Sequence, residues 1–224
     1  GNVTAADFTG DVYDVDKTAP SSVSFERQTP LSSVTNADSV VFRATFSEAV
    51  TGVDTGDFAV GGISTASVSS VAAVSTSVYD ITVSGGDLAD FDGTVGLNLA
   101  GSVSISDPAG NALPNTEPST DETFLVDNNA PTVQSIVLAG ASPTNSSSVD
   151  FTVTFGESVT GVDAGDFVVA ASGVTGAAVT GVAGSGTTYT VTVSTGSGDG
   201  TVGLNFDADA SSGATDAAGN VTAA

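Results

Sequence analysis

The nine residues from Val50 to Phe58 read VTGVDTGDF, and almost the same string, VTGVDAGDF, returns from Val159 to Phe167. Self-similarity at one fixed period is the sequence signature of a repeat architecture. Further pairs keep close to the same spacing: Phe46 with Phe155, Glu48 with Glu157, Tyr79 with Tyr189, and TVGLNL from Thr94 with TVGLNF from Thr201. The chain therefore holds two copies of one module of about 109 residues, and we expect both copies to share one topology.

Both copies alternate apolar and polar residues, which is the period-two pattern of a strand with one buried face. In the second copy Phe151, Val153 and Phe155 are predicted to point inward. Threonine and valine, which are abundant here, suit a pleated surface, and no sustained helical period is present. Seven strands are predicted in the first copy, near residues 21–29, 39–47, 56–60, 66–74, 77–85, 93–101 and 119–126.

Seven short strands in about 100 residues, separated by Gly, Ser, Asp and Pro, are typical of an immunoglobulin-like β-sandwich. The sequence therefore predicts an all-β chain of tandem immunoglobulin-like Greek-key sandwiches. Residues 17–127 are expected to form the first domain. Residues 128–224 are expected to form a second domain that has six of the strands and lacks the last one. Residues 1–16 are expected to be the final strand of a preceding or neighbouring domain.

The missing strand of the second domain has a candidate in the repeat itself. DVYDVDKTAP, from Asp11, aligns with ETFLVDNNAP, from Glu122, so residues 7–16 match the seventh strand of the first domain. In a continuous array the next stretch of chain would supply that strand. In separate subunits, residues 1–16 could complete a neighbouring copy by strand addition. Both alternatives give a head-to-tail fibre, and the string GNVTAA at Gly1 and again at Gly219 favours a segment of a longer array.

The charge of the chain excludes several classes of partner. It has 26 acidic residues against three basic ones, Lys17, Arg27 and Arg43, which gives a formal net charge of −23. Such a chain repels phosphate backbones and anionic lipid headgroups, so nucleic-acid binding is not expected. No apolar run approaches the roughly 18 residues that span a bilayer. Without cysteine there are no disulfides, and a single lysine cannot supply a Lys–Asn isopeptide bond to each domain.

Acidic residues recur at one end of each predicted sandwich. Because successive strands alternate in direction, the linker, the loop after the second strand and the loop after the sixth strand all lie at the same pole. In the second copy these segments carry Asp127, Glu157, Asp163, Asp166 and Asp216, and in the first copy Asp16, Glu48, Asp54, Asp57 and Asp107. The loop after the fifth strand of the first copy places Asp87, Asp90 and Asp92 at the opposite pole, where they are predicted to face the second cluster.

Carboxylates gathered in this way favour a bound cation, because each close pair costs roughly 1 to 4 kcal/mol without one. The chain has no His or Cys to favour zinc or copper. Oxygen ligands from Asp, Glu, Asn and carbonyl groups suit Ca²⁺, which tolerates irregular loops better than Mg²⁺ does. The spacing is not that of an EF-hand loop. A purely structural alternative is that the aspartates of GVDxGDF cap a turn and the other acids are only solvated.

These motifs together resemble a known family. FSEAVTGVDTGDF from Phe46, DPAGN from Asp107 and VDNNAP from Val126 are similar to the bacterial Ig-like repeats of large surface adhesins and surface-anchored fibres. The last string also resembles the linker motif of cadherins, in which calcium stiffens the junction between domains. The resemblance implies a calcium-stiffened extracellular array at a cell surface or in a matrix. The ligands it implies at the complete junction are Asp127, Asn128, Glu157, Asp163 and Asp166.

One linker departs from this pattern. Lys17 stands where Asn128 stands in the other linker, and an ammonium group there could weaken or displace one ion.

Three functional classes remain to be compared. The first is a structural repeat whose partners are neighbouring copies of itself. The alternative is an adhesive module that binds a glycan or a protein on a host or matrix surface. Aromatic residues are only 6% of the chain and Trp is absent, so a sugar platform would have to use Tyr13, Tyr79, Tyr189 or phenylalanine. Tyr79 and Tyr189 alternate inward and are expected in the cores.

An enzyme is not expected. With no His, no Cys and one Lys, serine and threonine have no obvious activating base. Every carboxylate pair recurs in both copies, as architecture does and a single active site does not.

Overall fold

The computed structural model of the chain describes residues 10–207 and 213–223. Within these residues the regular structure consists of β-strands and three short 3₁₀ helices, so the protein is all-β. No helix in the described ranges has the length and apolarity that crossing a membrane requires. The strands form two immunoglobulin-like β-sandwiches, each with its own apolar core.

The first sandwich is built from two facing sheets. One sheet has the strand order β5-β6-β3-β1-β8 and the other has the order β2-β9-β7-β4. Two 3₁₀ helices lie in its loops, at Thr55–Asp57 and Leu88–Asp90. Its strands are β1 (Ser22–Thr29), β2 (Val34–Thr35), β3 (Ser39–Phe46), β4 (Phe58–Gly61), β5 (Ser67–Ala73), β6 (Val78–Ser84), β7 (Gly93–Leu99), β8 (Thr120–Asp121) and β9 (Phe124–Val126).

The second sandwich repeats this plan with fewer strands. One sheet has the order β10-β11-β13, and the other consists of β12 and β14. A 3₁₀ helix at Ala164–Asp166 precedes β12, as one precedes β4 in the first sandwich. Its strands are β10 (Val133–Leu138), β11 (Ser148–Val159), β12 (Phe167–Ser172), β13 (Ala178–Ser194) and β14 (Thr201–Phe206).

The period-two pattern predicts the buried faces well. In β3, Val40, Phe42 and Ala44 are fully buried, and the residues between them are partly exposed. In β11 the same holds for Val153 and Phe155. The predicted strands are present, with differences at their ends. The first predicted strand is followed by the short β2, the seventh is divided into β8 and β9, and β13 covers the fourth and fifth strands of the second copy.

β13 consists of two strand segments joined by a tight turn at Gly184 and Gly186. Gly184 and Gly186 have φ angles of +141° and +67°, which L side chains rarely adopt. On either side of them, the hydroxyl of Thr180 donates to the carbonyl of Thr192. The sequence pattern predicts two strands here, and the tight glycine turn joins them without a loop.

The two inward-pointing tyrosines share one role. Tyr189 donates its hydroxyl hydrogen bond to the carbonyl of Val159 at 2.8 Å, and Tyr79 donates to the carbonyl of Val50 at 3.1 Å. Each carbonyl lies just before the repeated TGVDxGDF string. The prediction that these tyrosines belong to the cores is confirmed, because their rings pack edge-on against Phe155 and Phe46.

Residues 10–19 are exposed and take part in no strand. Among the described residues of the second sandwich, β14 pairs only with β12, whereas the corresponding β7 pairs with both β4 and β9. The predicted domain boundaries and the predicted role of residues 7–16 as a final strand stay predictions, and residues 7–9 lie outside the described range.

Candidate metal centres

Two carboxylate triads lie at corresponding places in the two sandwiches. In the first, Asp16, Glu48 and Asp107 each offer a carboxylate oxygen, and these oxygens lie within 4.8 Å of one another. In the second, Asp127, Glu157 and Asp216 do the same. Asp127 lies in the linker, Glu157 near the end of β11 and Asp216 in the loop after β14. The fold thus brings together residues that are about 90 positions apart in sequence.

The linker aspartate of each triad is fixed by its own turn. Oδ1 of Asp127 accepts a hydrogen bond of 3.0 Å from the amide of Asn129. The main-chain carbonyl of Asp127 accepts a 2.8 Å bond from the side-chain amide of Asn220. Asp16 repeats the arrangement with Thr18, at 2.9 Å. The short turn therefore holds the linker against the sandwich that follows it.

The aspartate of the DxAGN loop is the most constrained member of the second triad. Oδ1 of Asp216 accepts bonds of 2.8, 2.7 and 2.8 Å from three successive amides, those of Ala218, Gly219 and Asn220. Oδ2 accepts a 2.8 Å bond from the side chain of Asn220. Gly219 has a φ of +101°, which lets the loop curl around the carboxylate. Asp216 is buried, and both of its carboxylate oxygens accept hydrogen bonds.

Asp107 is held in the same way in the first sandwich. Its Oδ2 accepts a 2.7 Å bond from the side chain of Asn111, and its Oδ1 accepts a 2.8 Å bond from the amide of the same residue. The side-chain bond from Asn111, followed by the backbone amides of Asn111, Gly110 and Ala109, lowers the pKa of Asp107. The carboxylate is therefore ionised at neutral pH although it is buried.

The glutamate is the member of the second triad whose charge is least favourable. Burial raises the pKa of Glu157, and the negative charges of Asp216 and Asp127 raise it further. Both causes disfavour the ionised form, and a positive ion between the three carboxylates would remove the second one. The carboxylates of Asp127 and Asp216 therefore repel that of Glu157.

The aspartates of the repeated TGVDxGDF string cap a turn. Asp54 and Asp57 form a capping box on the 3₁₀ helix: Oδ1 of Asp54 accepts from the amide of Gly56 at 2.7 Å, and Oδ2 of Asp57 accepts from the amide of Asp54 at 2.8 Å. Oδ1 of Asp57 accepts from both the amide and the hydroxyl of Ser104. Asp57 is buried, and its carboxylate ties two loops together.

Asp163 and Asp166 repeat that capping box. Oδ2 of Asp166 accepts a 2.7 Å bond from the amide of Asp163, and Oδ1 accepts a 3.2 Å bond from the amide of Gly213. None of these four aspartates belongs to a triad in the described part of the chain. Their hydrogen bonds are those of the turn-capping alternative, and their predicted role as metal ligands stays a prediction.

The acids predicted at the opposite pole are also outside the triads of the described chain. Oδ1 of Asp87 accepts bonds from the hydroxyl of Ser64 at 2.7 Å and from the amide of Thr65 at 2.8 Å. The bond from Ser64 is the first cause of a lowered pKa for Asp87. Asp90 is exposed at the end of its 3₁₀ helix. Asp92 accepts a 2.7 Å bond from the amide of Asn128.

Asn128, a predicted ligand, joins the linker to the first sandwich. Its side-chain amide donates to the carbonyl of Phe91 at 2.8 Å and to that of Leu88 at 3.2 Å. These carbonyls belong to the loop between β6 and β7. The side-chain nitrogen is therefore committed to the junction, and the predicted role of Asn128 as a ligand stays a prediction.

Asparagines that the sequence analysis did not single out complete the junction. Asn36, in the loop before β3, donates its side-chain amide to Oδ1 of Asn220 at 3.0 Å, and its main-chain amide donates to the carbonyl of Ala218 at 3.3 Å. Asn220 thus bonds to Asp216, to the linker carbonyl of Asp127 and to the first sandwich. The signal was the last letter of the repeated DxAGN string, of which only the aspartate was chosen as a ligand.

The donor set determines what the triads can do chemically. Three carboxylates and nearby carbonyl groups form an all-oxygen site with a high negative charge, and hard divalent cations prefer such sites. The residues present fit Ca²⁺, whose coordination tolerates irregular geometry. Neither triad contains a base beside a nucleophile of the kind that covalent catalysis needs.

Comparison with known proteins adds little to this description. The chain matches no protein-family model and no curated protein. Among solved structures it is similar to FdeC, described as a broadly conserved Escherichia coli adhesin, with 14% sequence identity and a TM-score of 0.40. The match covers 91% of this chain and 60% of that one, so the chain spans less than two thirds of the adhesin structure.

Proposed function

We propose that this chain is a structural repeat module of an extracellular filament or surface adhesin, and that Ca²⁺ bound at each triad stiffens the junction before each sandwich. The observation that carries the proposal is the recurrence of one triad at the linker end of both sandwiches. In each case one of the three acids comes from the linker itself. An ion there would attach the linker to the sandwich that follows.

The electrostatics of the second triad support a cation. Glu157 has a raised pKa because of burial and because of two neighbouring negative charges, and the net charge of −23 offers almost no basic partner. Ca²⁺ would supply two positive charges to Asp127, Glu157 and Asp216. These residues would hold it from three different segments, and binding would draw those segments together.

The surrounding hydrogen bonds explain why binding would affect the junction. The side chain of Asn128 attaches the linker to the first sandwich, and the side chain of Asn220 attaches the linker carbonyl of Asp127 to the second. Asn36 bonds directly to the loop that contains Asp216. An ion at this triad would therefore add a charged contact to a linker that neutral hydrogen bonds already attach to both sandwiches. Head-to-tail repetition of such junctions would give a stiff array suited to a cell surface or a matrix.

The proposal is tested by melting the protein in Ca²⁺ and in EDTA. If free Ca²⁺ exceeds the dissociation constant about a thousandfold, one site adds about 4 kcal/mol to the free energy of unfolding. We expect a markedly higher melting temperature in Ca²⁺, and small-angle X-ray scattering should show a narrower distribution of interdomain distances. Asp127→Asn combined with Glu157→Gln should abolish the response of the second sandwich. Asp150→Asn is the matched control, because it removes an exposed charge away from both triads. A melt and a scattering profile that do not respond to EDTA would remove calcium from the proposal.

A further inference from the structure

The second sandwich has a large open cleft at the beginning of β14, whose residues Thr201 and Val202 line it. It has a volume of about 1040 Å³ and lies between residues 138–150 on one side and residues 195–202 on the other. Val202 and Val149 at this edge are partly exposed, whereas Val95 and Val40, at the same positions of the first sandwich, are fully buried. The core of the second sandwich is therefore incomplete at the cleft.

In the first sandwich this place is filled by β9. Its residues pair antiparallel with β7 (Phe124 with Val95, Val126 with Gly93) and parallel with β2. Phe124 and Val126 are 0% and 1% exposed. The ring of Phe124 packs edge-on against Phe42, with centroids 5.0 Å apart. One strand thus supplies two fully buried side chains and closes the sheet.

The groups that hold β9 have counterparts around the cleft. Val202 and Gly200 match Val95 and Gly93 of the pairing strand, and Phe151 matches Phe42. Among the described residues, the free edge of β14 has no strand partner. Val149, Val174 and Val202 line the cleft, so it offers a backbone edge and apolar side chains to a further strand.

The chain also carries a segment with the sequence that this cleft requires. In the repeat, Tyr13 and Val15 occupy the positions of Phe124 and Val126. The two side chains are 96% and 74% exposed, and residues 10–19 pair with no strand. Tyr13 and Val15 alternate with Asp14 and Asp16, which is the pattern of a strand with one apolar face.

We infer that the cleft of one copy binds residues 11–16 of a second copy as its missing strand. Tyr13 packs on Phe151 and pairs with Val202, and Val15 pairs with Gly200. This inference rests on the head-to-tail assembly of the proposed function and names the contact that makes it. Because residue 16 is the linker aspartate, the donated strand leads directly into the triad of its own first sandwich, as β9 leads into Asp127.

Charge at the end of the donated strand agrees with this register. In the junction within the chain, the amide of Asn128 donates to Asp92. That bond comes from the main chain of Asn128, and the corresponding residues between copies are Lys17 and Asp199. A lysine here keeps the main-chain donor and adds an ammonium group near the aspartate. Lys17 is the single lysine of the chain. An ion pair between these two residues would favour this register over a shifted one.

Cysteine pairing tests the register directly, because the protein has no cysteine of its own. In β9, Leu125 pairs with Thr94, and both side chains are exposed. The corresponding residues between copies are Asp14 and Thr201. Facing residues of an antiparallel pair lie at about 4.5 to 5.5 Å between Cα atoms, which permits a disulfide. Tagged Asp14→Cys protein is mixed with Thr201→Cys protein under mild oxidation, and the heterodimer is measured on non-reducing gels.

The matched control is Asn205→Cys, on the same exposed face of β14 but roughly 13 Å further along the strand. We expect about tenfold more heterodimer with Thr201→Cys than with Asn205→Cys. Tyr13→Asp in the donor should abolish the difference. Val12→Thr, which restores the residue that the first sandwich has there, should not. Equal crosslinking at both positions, or none above the level of free cysteines, overturns the inference. A cleft filled by a segment of the same copy would give no crosslinking between copies.

A charge exchange gives an independent readout by analytical ultracentrifugation. Lys17→Glu should weaken self-association by about fivefold, and mixing it with Asp199→Lys should recover that loss. An unchanged association constant in both experiments counts against the register. Calcium binding is measured separately on the same proteins by titration calorimetry. Register-specific crosslinking without calcium binding would remove the calcium proposal alone, and calcium binding without crosslinking would remove the strand contact alone.

Discussion

The side-chain amide of Asn220 donates a 2.8 Å hydrogen bond to the main-chain carbonyl of Asp127. The two residues are far apart in sequence, one in a loop after β14 and the other in the linker after β9. Asn220 also bonds to the carboxylate of Asp216, so two members of the second triad are positioned by one amide group. The spacing of the triad is therefore a property of this asparagine as well as of the acids.

Asn220→Ala should weaken calcium binding at the second triad without removing any carboxylate. Asp216 would keep its backbone donors, but the linker carbonyl and the loop would lose their bridge. Outer partners of a metal ligand typically change affinity by about 10- to 100-fold, and we expect the lower end of that range. Titration calorimetry measures it, with Asn205→Ala, an exposed residue on β14, as the control. Unchanged affinity would show that the triad is positioned without this bond.

Glu157→Gln should have opposite effects on stability with and without calcium. The raised pKa of Glu157 means that its ionisation opposes folding. That penalty is complete above the pKa of the folded state and absent below the pKa of the unfolded state, so stability of the calcium-free protein falls as pH rises through this window. Glutamine removes the penalty, and the variant should melt higher than the natural protein in EDTA at pH 7.

In Ca²⁺ the order should reverse, because the variant has lost one charged ligand. Each tenfold loss of affinity corresponds to about 1.4 kcal/mol. Differential scanning calorimetry in the two buffers measures both signs, and Asp150→Asn reports the effect of removing one charge elsewhere. A variant that is less stable in both buffers would show that Glu157 contributes to the fold and not to a cation site.

Much of the fold follows from the sequence because each strand carries its own signal. The alternation in Val40, Phe42 and Ala44 predicts a buried face, and that face is buried. The repeat then predicts six strands of the second copy from those of the first. Strand ends are less predictable because they depend on turns, as the glycine turn within β13 shows.

The site was harder to predict because an acidic residue has two common uses. Asp57 and Asp107 look alike in a sequence repeat, and both are buried. Only the three-dimensional partners separate them: Asp57 accepts from the turn that it caps and from Ser104, whereas Asp107 also lies beside two further carboxylates. Loop directions brought the acids to one pole but could not give their distances.

Asp57→Asn should destabilise the first sandwich equally in Ca²⁺ and in EDTA. Both oxygens of the buried carboxylate accept hydrogen bonds, and an amide nitrogen in place of either oxygen would face the main-chain N–H of Asp54 or of Ser104. A buried donor without an acceptor costs about 1 to 3 kcal/mol. Urea unfolding in both buffers measures the loss. Asp54→Asn is the control, since asparagine caps as well as aspartate does. A loss confined to the calcium buffer would make Asp57 a ligand.

Asn128→Ala should loosen the junction while both sandwiches stay folded. The substitution removes two hydrogen bonds, to the carbonyls of Leu88 and Phe91, and these are contacts between the linker and the first sandwich. Asn129→Ala is the matched control, because Asn129 uses only its main-chain amide in this turn. Small-angle scattering and NMR relaxation should show a broader range of interdomain orientations for Asn128→Ala alone.

Asn128→Lys extends the same experiment to the other linker. It gives this junction the lysine that the first linker has at position 17. The new side chain would lie beside Asp92, whose carboxylate already accepts from the main-chain amide of residue 128. A lysine cannot donate to two carbonyls in the fixed geometry of an amide, but its charge can pair with that aspartate. We therefore expect Asn128→Lys to order the junction more than Asn128→Ala and less than asparagine. Its advantage over alanine should shrink in high salt, because screening weakens an exposed ion pair and leaves a neutral hydrogen bond almost unchanged. Equal flexibility of the lysine and alanine variants at low salt would show that charge does not order this position.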